Sequence, residues 1–225
     1  MTTAAEPTVV FDLDGTLVQT EAFEGKLFAE AIRDVVGDVE IDTSWQRYRH
    51  VTDAGIVSQI LEEQGLSGVD GIAATVRAAF GEKIRTYIAS GNQCPATPGA
   101  RAAIGRLRDS GHRIGIATGG WGHTARMKLE RAGISTENLV LATSDDSFDR
   151  VEIMLSCLQQ LGGNPDRVIY VGDGVWDLEA SRRAGWGFVG IGKRLKGRCN
   201  TWIADFLDPT WCLTYSNALE RTRDA

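Results

Sequence analysis

Apolar runs that close on small or acidic residues recur along the chain, and each reads as a buried strand. They are TVVFDLD (8–14), RIGIAT (113–118), NLVLATS (138–144), RVIYVGD (167–173) and GFVGIG (187–192). Between them the apolar spacing becomes helical. Val151, Met154, Leu155, Leu158 and Leu161 share one face of a helix that stops at Gly162 and Gly163. The segments after Thr118 and after Asp173 are helical in pattern too. Strand and helix alternate from residue 113 onward, which predicts a parallel sheet covered by helices on both faces.

One stretch breaks the alternation. Residues 20–94 carry no strand pattern. Phe23, Leu27, Ala31 and Val35 fall at spacings of four, Ile56, Ile60 and Leu61 form a second stripe, and Val69, Ile72, Ala73, Val76, Phe80, Ile84, Tyr87 and Ile88 a third. CPATPGA (94–100) then supplies two prolines and a glycine, the composition of a linker. The pattern predicts a helical unit at 20–94 inserted directly after the first strand of an α/β core made of 1–19 and 95–225.

Composition narrows the setting. A chain of 225 residues is long enough for one large domain or for one domain with a smaller insert. It is 43% apolar and 24% charged, as soluble globular proteins are. No apolar stretch is long enough to cross a bilayer, and the N-terminus lacks the basic-then-apolar pattern of a secretory signal. Cys94, Cys157, Cys199 and Cys212 are scattered, without a CxxC pair or a nearby histidine, and read as reduced thiols. These features predict a cytoplasmic protein with no membrane partner. A net charge of −6 disfavours nucleic-acid binding. The one basic cluster, GKRLKGR at 192–198, reads as a solvated loop, with phosphate contact as the alternative.

The candidate chemistry lies at the strand ends. The first strand closes on DLDGT, with Asp12 and Asp14 two residues apart. Side chains so spaced in a strand point the same way, so both carboxylates can aim into one site unless the turn rotates the second. Like charges held that close repel unless a cation sits between them. Mg²⁺ suits such a pair because it accepts one or two carboxylates plus phosphate oxygens. An aspartate is also a nucleophile towards phosphorus. A plain turn exit explains the same residues. The second strand closes on Thr118, Gly119 and Gly120, a glycine turn or a phosphate cradle. The fourth closes on GDGVWD, with Asp173 at the exit and Asp177 in the next helical turn, a helix capped by Asp173 or a pair of site carboxylates. All three groups fall at the carboxyl ends of strands, where open α/β sheets bind ligands.

DLDGT, ATGG and GDGVWD, in this order and on these strands, resemble the motifs of the haloacid dehalogenase-like hydrolase superfamily. The helical insert is similar to the small cap of its phosphoglycolate-phosphatase-like branch. The resemblance implies a Rossmann-like core with a mobile cap, and Mg²⁺-dependent phosphoryl transfer. It makes Asp12 the nucleophile and Asp14 the general acid/base. Thr118 with the amides of Gly119 and Gly120 would hold the phosphoryl group. Asp12, the backbone carbonyl of Asp14 and Asp173 would hold Mg²⁺, with Asp177 orienting that site from nearby. In one respect the sequence departs from the family, whose third motif is usually a lysine between the third and fourth core strands. No lysine occurs from 129 to 192. Arg150, which opens the helix there, is the best substitute, and a solvated first-turn arginine is its alternative. Arginine holds phosphate oxygens with two parallel bonds and stays charged. Lys128 and Lys193 are less suited to reach.

The expected function is a phosphatase acting on a small phosphorylated metabolite through an aspartyl-phosphate, as a monomer or homodimer. A sugar-phosphate mutase and a degenerate phosphate-binding module are the alternatives. In the insert, Arg47, Arg49, His50, Thr52 and Asp53 of SWQRYRHVTD (44–53) contact the leaving group or serve as helix charges and N-cap.

Overall fold

The computed structural model describes residues 7–66 and 68–211. Its centre is a parallel sheet of six strands: β1 (Thr8–Phe11), β2 (Arg113–Ala117), β3 (Val140–Ala142), β4 (Val168–Gly172), β5 (Gly187–Ile191) and β6 (Trp202–Ile203). They lie in the order β3-β2-β1-β4-β5-β6. The chain runs outward from β1 to β3 and then crosses back to place β4 on the other side of β1. That reversal opens a crevice beyond the carboxyl ends of β1 and β4. Phe11 pairs with Val171 across this junction, and the Asp12 N–H donates to the Val171 carbonyl at 2.8 Å. The two aspartate-bearing exits are thereby neighbours.

Every residue of β1, β4 and β5 is buried. Continuous apolar runs are what a sheet covered on both faces requires. Val10, Ala117 and Tyr170 face one layer with Met154, Cys157 and Leu158 of α6 (Arg150–Leu161). Val9, Phe11, Ile116 and Val171 face the other, with α4 (Ala100–Asp109) and α5 (Gly122–Arg131). Helix α6 ends where its pattern predicts, with Gly162 in the left-handed region at φ 59°. Leu155 is a correction: it is 40% exposed, off the buried face. The 138–144 run forms a strand over Val140–Ala142 only. Strand β6 has no counterpart among the expected strands, because two residues make no readable run.

Between β1 and β2 the chain forms α1 (Glu24–Val36), α2 (Asp53–Glu63) and α3 (Val69–Ala89). The protein is therefore a Rossmann-like parallel-sheet core with an inserted α-helical cap. The cap is fastened by aromatic contacts. Phe28 on α1 meets Phe80 on α3 with ring centroids 5.1 Å apart and Trp121 of the core at 5.9 Å. Such pairs add about 0.5–1.5 kcal/mol each beyond area burial. In the third stripe Val76, Phe80 and Ile84 are buried whereas Val69 is exposed. Helix α7 (Val175–Ala184) completes the second face. Cys94, Cys157 and Cys199 are free thiols, and Cys212 lies outside the described residues. Among the described residues no helix is long and apolar enough to cross a membrane.

Candidate active site

Asp12 leaves β1 and is 4% exposed. Three residues on, Gly15 turns the chain at φ 83°, and a Cβ there would strike the Asp173 carboxylate. Glycine is needed at that position for both its backbone angle and its size. The turn separates the two aspartates: the carboxylates of Asp12 and Asp14 line one cavity but engage different cations.

Asp12 faces Arg150. Asp149 caps α6 by accepting from the Val151 N–H at 2.8 Å, and Arg150 then turns back over the sheet end. Its Nη1 lies 3.2 Å from Asp12 Oδ1 and 3.0 Å from Asp177 Oδ1, and its Nη2 donates to the Val51 carbonyl of the cap at 2.8 Å. Burial opposes the guanidinium's charge, but Asp177, Tyr170 and Asp12 more than offset it, so its pKa rises. Arg150 is thus a buried site residue and not a solvated helix charge. Gly119 has no space for a Cβ because the Arg150 guanidinium and the Val51 carbonyl, 2.8 Å from that position, crowd it. Thr118 is buried, and its hydroxyl accepts from the Gly120 N–H at 3.1 Å.

Asp173 and Asp177 stand on the other side of Asp12. Carboxylate oxygens of Asp12, Asp173 and Asp177 all lie within 4.8 Å of one another. Asp177 also accepts from the Gly174 N–H at 2.9 Å in the first turn of α7, whose N-cap is Gly174, so the capping role expected of Asp173 is corrected. Burial, then Asp177, pushes the Asp173 carboxyl up to about 8. Burial, then Asp177, drives Asp12 well above the usual carboxylate range despite Arg150. Three carboxylates face two guanidiniums, those of Arg150 and Arg194. Asp173 Oδ1 is buried without a hydrogen-bond partner among the described residues. Unpaired carboxylate oxygen, dense negative charge and hard oxygen donors suit a divalent cation.

Two basic residues enter that the sequence did not place here. Lys128, on α5, is fully buried, and its Nζ donates to both Asp14 oxygens at 2.7 and 2.6 Å and also to Glu24 of α1. Its expected lack of reach is corrected. Burial opposes its charge, but Asp14 and Glu24 reverse that and raise its pKa. Lys128 belongs to the inward face of α5 with Thr124, Ala125 and Leu129, and a lysine on an apolar stripe was the available signal. Around it, burial and then Asp14 push Glu24 up to about 8, and burial pushes Asp53 up to about 7. Arg194, from the basic cluster, places Nη1 2.7 Å from Asp173 Oδ2.

The cap segment divides. Thr52 N-caps α2, accepting from the Gly55 N–H at 3.1 Å. Asp53 docks on the core: its N–H donates to the Gly119 carbonyl at 2.7 Å and its Oδ2 accepts from the Trp121 N–H at 2.9 Å. Arg47 and Arg49 pair with Glu63 and Glu62 on the cap itself, as solvated helix charges do. His50 is half-buried and lies outside the cavity lining. Core and cap together enclose a cavity of about 590 Å³, with Asp12, Asp14, Thr118 and Arg150 on one wall and Phe28 and Trp45 on the other.

The carboxyl ends of one parallel sheet thus bring together paired aspartates at the first exit, a threonine-glycine turn at the second and a buried acidic cluster at the fourth. The haloacid dehalogenase-like hydrolase family matches residues 7–185, and the chain belongs to it. It is similar to the N-acetylmuramic acid 6-phosphate phosphatase of Pseudomonas aeruginosa, at 28% identity over 79% of this chain and 77% of that one. It is also similar to the tyrosine-protein kinase PtkA of Mycobacterium tuberculosis, at 27% identity over 96% of this chain and 71% of that one. Among solved structures, β-phosphoglucomutase from Clostridium difficile superposes with a TM-score of 0.75 at 19% identity, covering 96% of this chain and 100% of the other. That likeness shows the fold.

Proposed function

We propose that the protein hydrolyses a small phosphorylated metabolite through an aspartyl-phosphate on Asp12, with Mg²⁺ as cofactor. It is a phosphoric monoester hydrolase of the haloacid dehalogenase-like family. The cap is assigned to residues 20–94 and the catalytic core to 1–19 and 95–225. The observation that carries the reading is the placement of Asp12 within one buried cluster with Asp173, Asp177 and Arg150.

Asp12 attacks phosphorus and Arg150 holds the attacking carboxylate in line. The Thr118 hydroxyl and the amides of Gly119 and Gly120 receive the phosphoryl oxygens, and the guanidinium spreads their charge. Asp14 gives its proton to the leaving oxygen and later takes one from the water that attacks the aspartyl-phosphate. Lys128 fixes the Asp14 carboxylate where the leaving group meets the cap. Asp12, Asp173 and the Asp14 backbone carbonyl would hold Mg²⁺, which supplies charge neutralisation for the transferring group. Asp177 supports that site through Arg150 and through the turn at Gly174.

Phosphate release over a panel of small phosphomonoesters, with Mg²⁺ and with chelator, tests the reading. Turnover should vanish in chelator and return with Mg²⁺ but not with Ca²⁺, which favours more ligands and looser geometry. Asp12→Asn should abolish it while the fold persists. Near-normal turnover in that variant overturns the nucleophile, and full turnover in excess chelator overturns the metal. Transfer to a sugar phosphate in preference to water would identify a mutase instead.

A further inference from the structure

A second hollow of about 500 Å³ adjoins the catalytic cavity, and Trp45, Trp176 and Arg194 stand in the walls of both. The two differ sharply in charge. The catalytic cavity is rich in carboxylates, Asp12, Asp14, Glu21, Glu24 and Asp53 among them. The annex is lined by Lys193, Arg194, Lys196 and Arg198, with no carboxylate among its described lining residues. In a chain of net charge −6, Lys193, Lys196 and Arg198 gather beside Arg194, whose own charge is met by Asp173 and Glu21, and raise a local positive potential.

The four cations are exposed at the surface, and the backbone of their loop is what is held. Their loop begins at the end of β5, on the edge of the sheet that carries Asp12 and Asp173. Leu195 is fully buried beneath it, and Trp202 Nε1 donates to the Gly192 carbonyl at 2.7 Å. Arg194 is committed to Asp173 and Glu21. Lys196 lies over the Trp202 ring at 5.8 Å. The side chains of Lys193 and Arg198 make no ion pair among the described residues, so their charges are left for a ligand. On the cap side Trp45 holds φ 66°, a strained angle for a residue with a Cβ. Its ring packs against Gly25, where a Cβ would come within 3.2 Å. Trp45 from the cap and Trp176 from the core thus frame the passage between the two spaces.

We propose that the annex is a second anion site: the substrate's leaving group ends in a phosphate or carboxylate seated on Lys193, Lys196 and Arg198, with its carbon skeleton passing between Trp45 and Trp176. This rests on the phosphatase reading for the group that is transferred. It goes further in naming the class of substrate, a phosphomonoester with a second, terminal anion. Charge-assisted hydrogen bonds to these cations provide the selectivity.

The test is a series of straight-chain diol bisphosphates of about three to six carbons. It is run beside the matching monophosphates and the matching phosphate esters with a terminal carboxylate. At the best length the dianionic-ended compound should exceed its monophosphate in kcat/KM by about tenfold or more, mainly through KM, the effect of one charge-assisted bond. The end group that gains tells phosphate from carboxylate. Lys193→Gln combined with Arg198→Gln should erase the gain and leave turnover of p-nitrophenyl phosphate unchanged. Equal kcat/KM for both ends at every length, or a gain that survives the double variant, overturns the annex while p-nitrophenyl phosphate turnover keeps the phosphatase reading. If no ester is turned over, that reading fails, and calorimetry decides the annex separately. Tighter binding of a bisphosphate than of its monophosphate, lost in the double variant, supports it, and equal binding overturns it.

Discussion

The Arg150 guanidinium lies 3.2 Å from the Asp12 carboxylate, joining the first turn of α6 to the end of β1. The same nitrogen stands 3.0 Å from Asp177, so one cation serves two buried acids. Removing it should act on chemistry and on folding together. Arg150→Ala should lower turnover by about 10²-fold or more, the usual cost of losing a charge-stabilising donor. It should also destabilise the metal-free protein by about 3 kcal/mol, because buried carboxylates lose their partner. Arg150→Lys should recover part of the turnover, limited by reach and the lost bidentate geometry. Kinetics and thermal melts of the three proteins check this, and parental turnover in Arg150→Ala would make the arginine a structural ion alone.

Asp12 is buried among like charges that Arg150 only partly offsets. Replacing it with the neutral amide removes a desolvated charge from the metal-free protein. Asp12→Asn should therefore raise the melting temperature measured in chelator, by about 2–4 °C for each kcal/mol gained at this chain length. A lower melting temperature would mean that the acidic cluster stabilises the fold even when empty.

The same crowding sets a pH dependence. Asp173 and Glu24 are pushed up to about 8, from ordinary values of 3.8 and 4.5, by burial and by neighbouring Asp177 and Asp14 respectively. Asp53 is pushed up to about 7, chiefly by burial. Between their unfolded and folded values the native state holds more protons than the unfolded one. Stability from these groups is full below about pH 4 and is lost as the pH rises towards 8. Metal-free protein should melt higher at pH 6 than at pH 8, and Mg²⁺ should shrink the difference by lowering the carboxyl pKa values. Melts at both pH values with and without Mg²⁺ measure it, and a rise in melting temperature from pH 6 to 8 in chelator would contradict it.

Lys128 gives a double-mutant test. Lys128→Met leaves Asp14 and Glu24 without their shared ammonium and should cost about 3–5 kcal/mol. Adding Glu24→Gln should return part of that stability, because one of the two stranded carboxylates is gone. Turnover should stay low in both variants, since Asp14 has lost the contact that positions it. Recovery of turnover together with stability would reduce Lys128 to a folding residue.

Legibility in the sequence followed the kind of signal each residue emits. The sheet was readable because β1, β4 and β5 are buried on both faces and so appear as unbroken apolar runs. Arg150 was legible only through the family resemblance, which expects a lysine between β3 and β4, where the sequence offers this arginine at the start of the helix. Lys128 was less legible, because only its place among the buried residues of the α5 stripe marks it as an inward-facing cation. Arg194 was missed for a different reason: a loop has no periodicity, and only the strand order brings the β5 exit beside the β4 exit. The turn at Gly15 was equally hidden, and it is what sends Asp14 to Lys128 while Asp12 goes to Arg150.

Cap residues 51–53 reach directly into the Thr118–Gly120 turn of the core, the proposed phosphoryl cradle. The Val51 carbonyl accepts from Arg150, and Asp53 bonds both the Gly119 carbonyl and the Trp121 N–H. The cap is therefore not an interchangeable module. A chimera that exchanged it for a relative's cap to transplant selectivity would also dismantle the seat of the transferred group. A successful graft would need to carry Val51, Thr52 and Asp53 across the splice unchanged, and the same three residues would restrict how far this cap can diverge without its core.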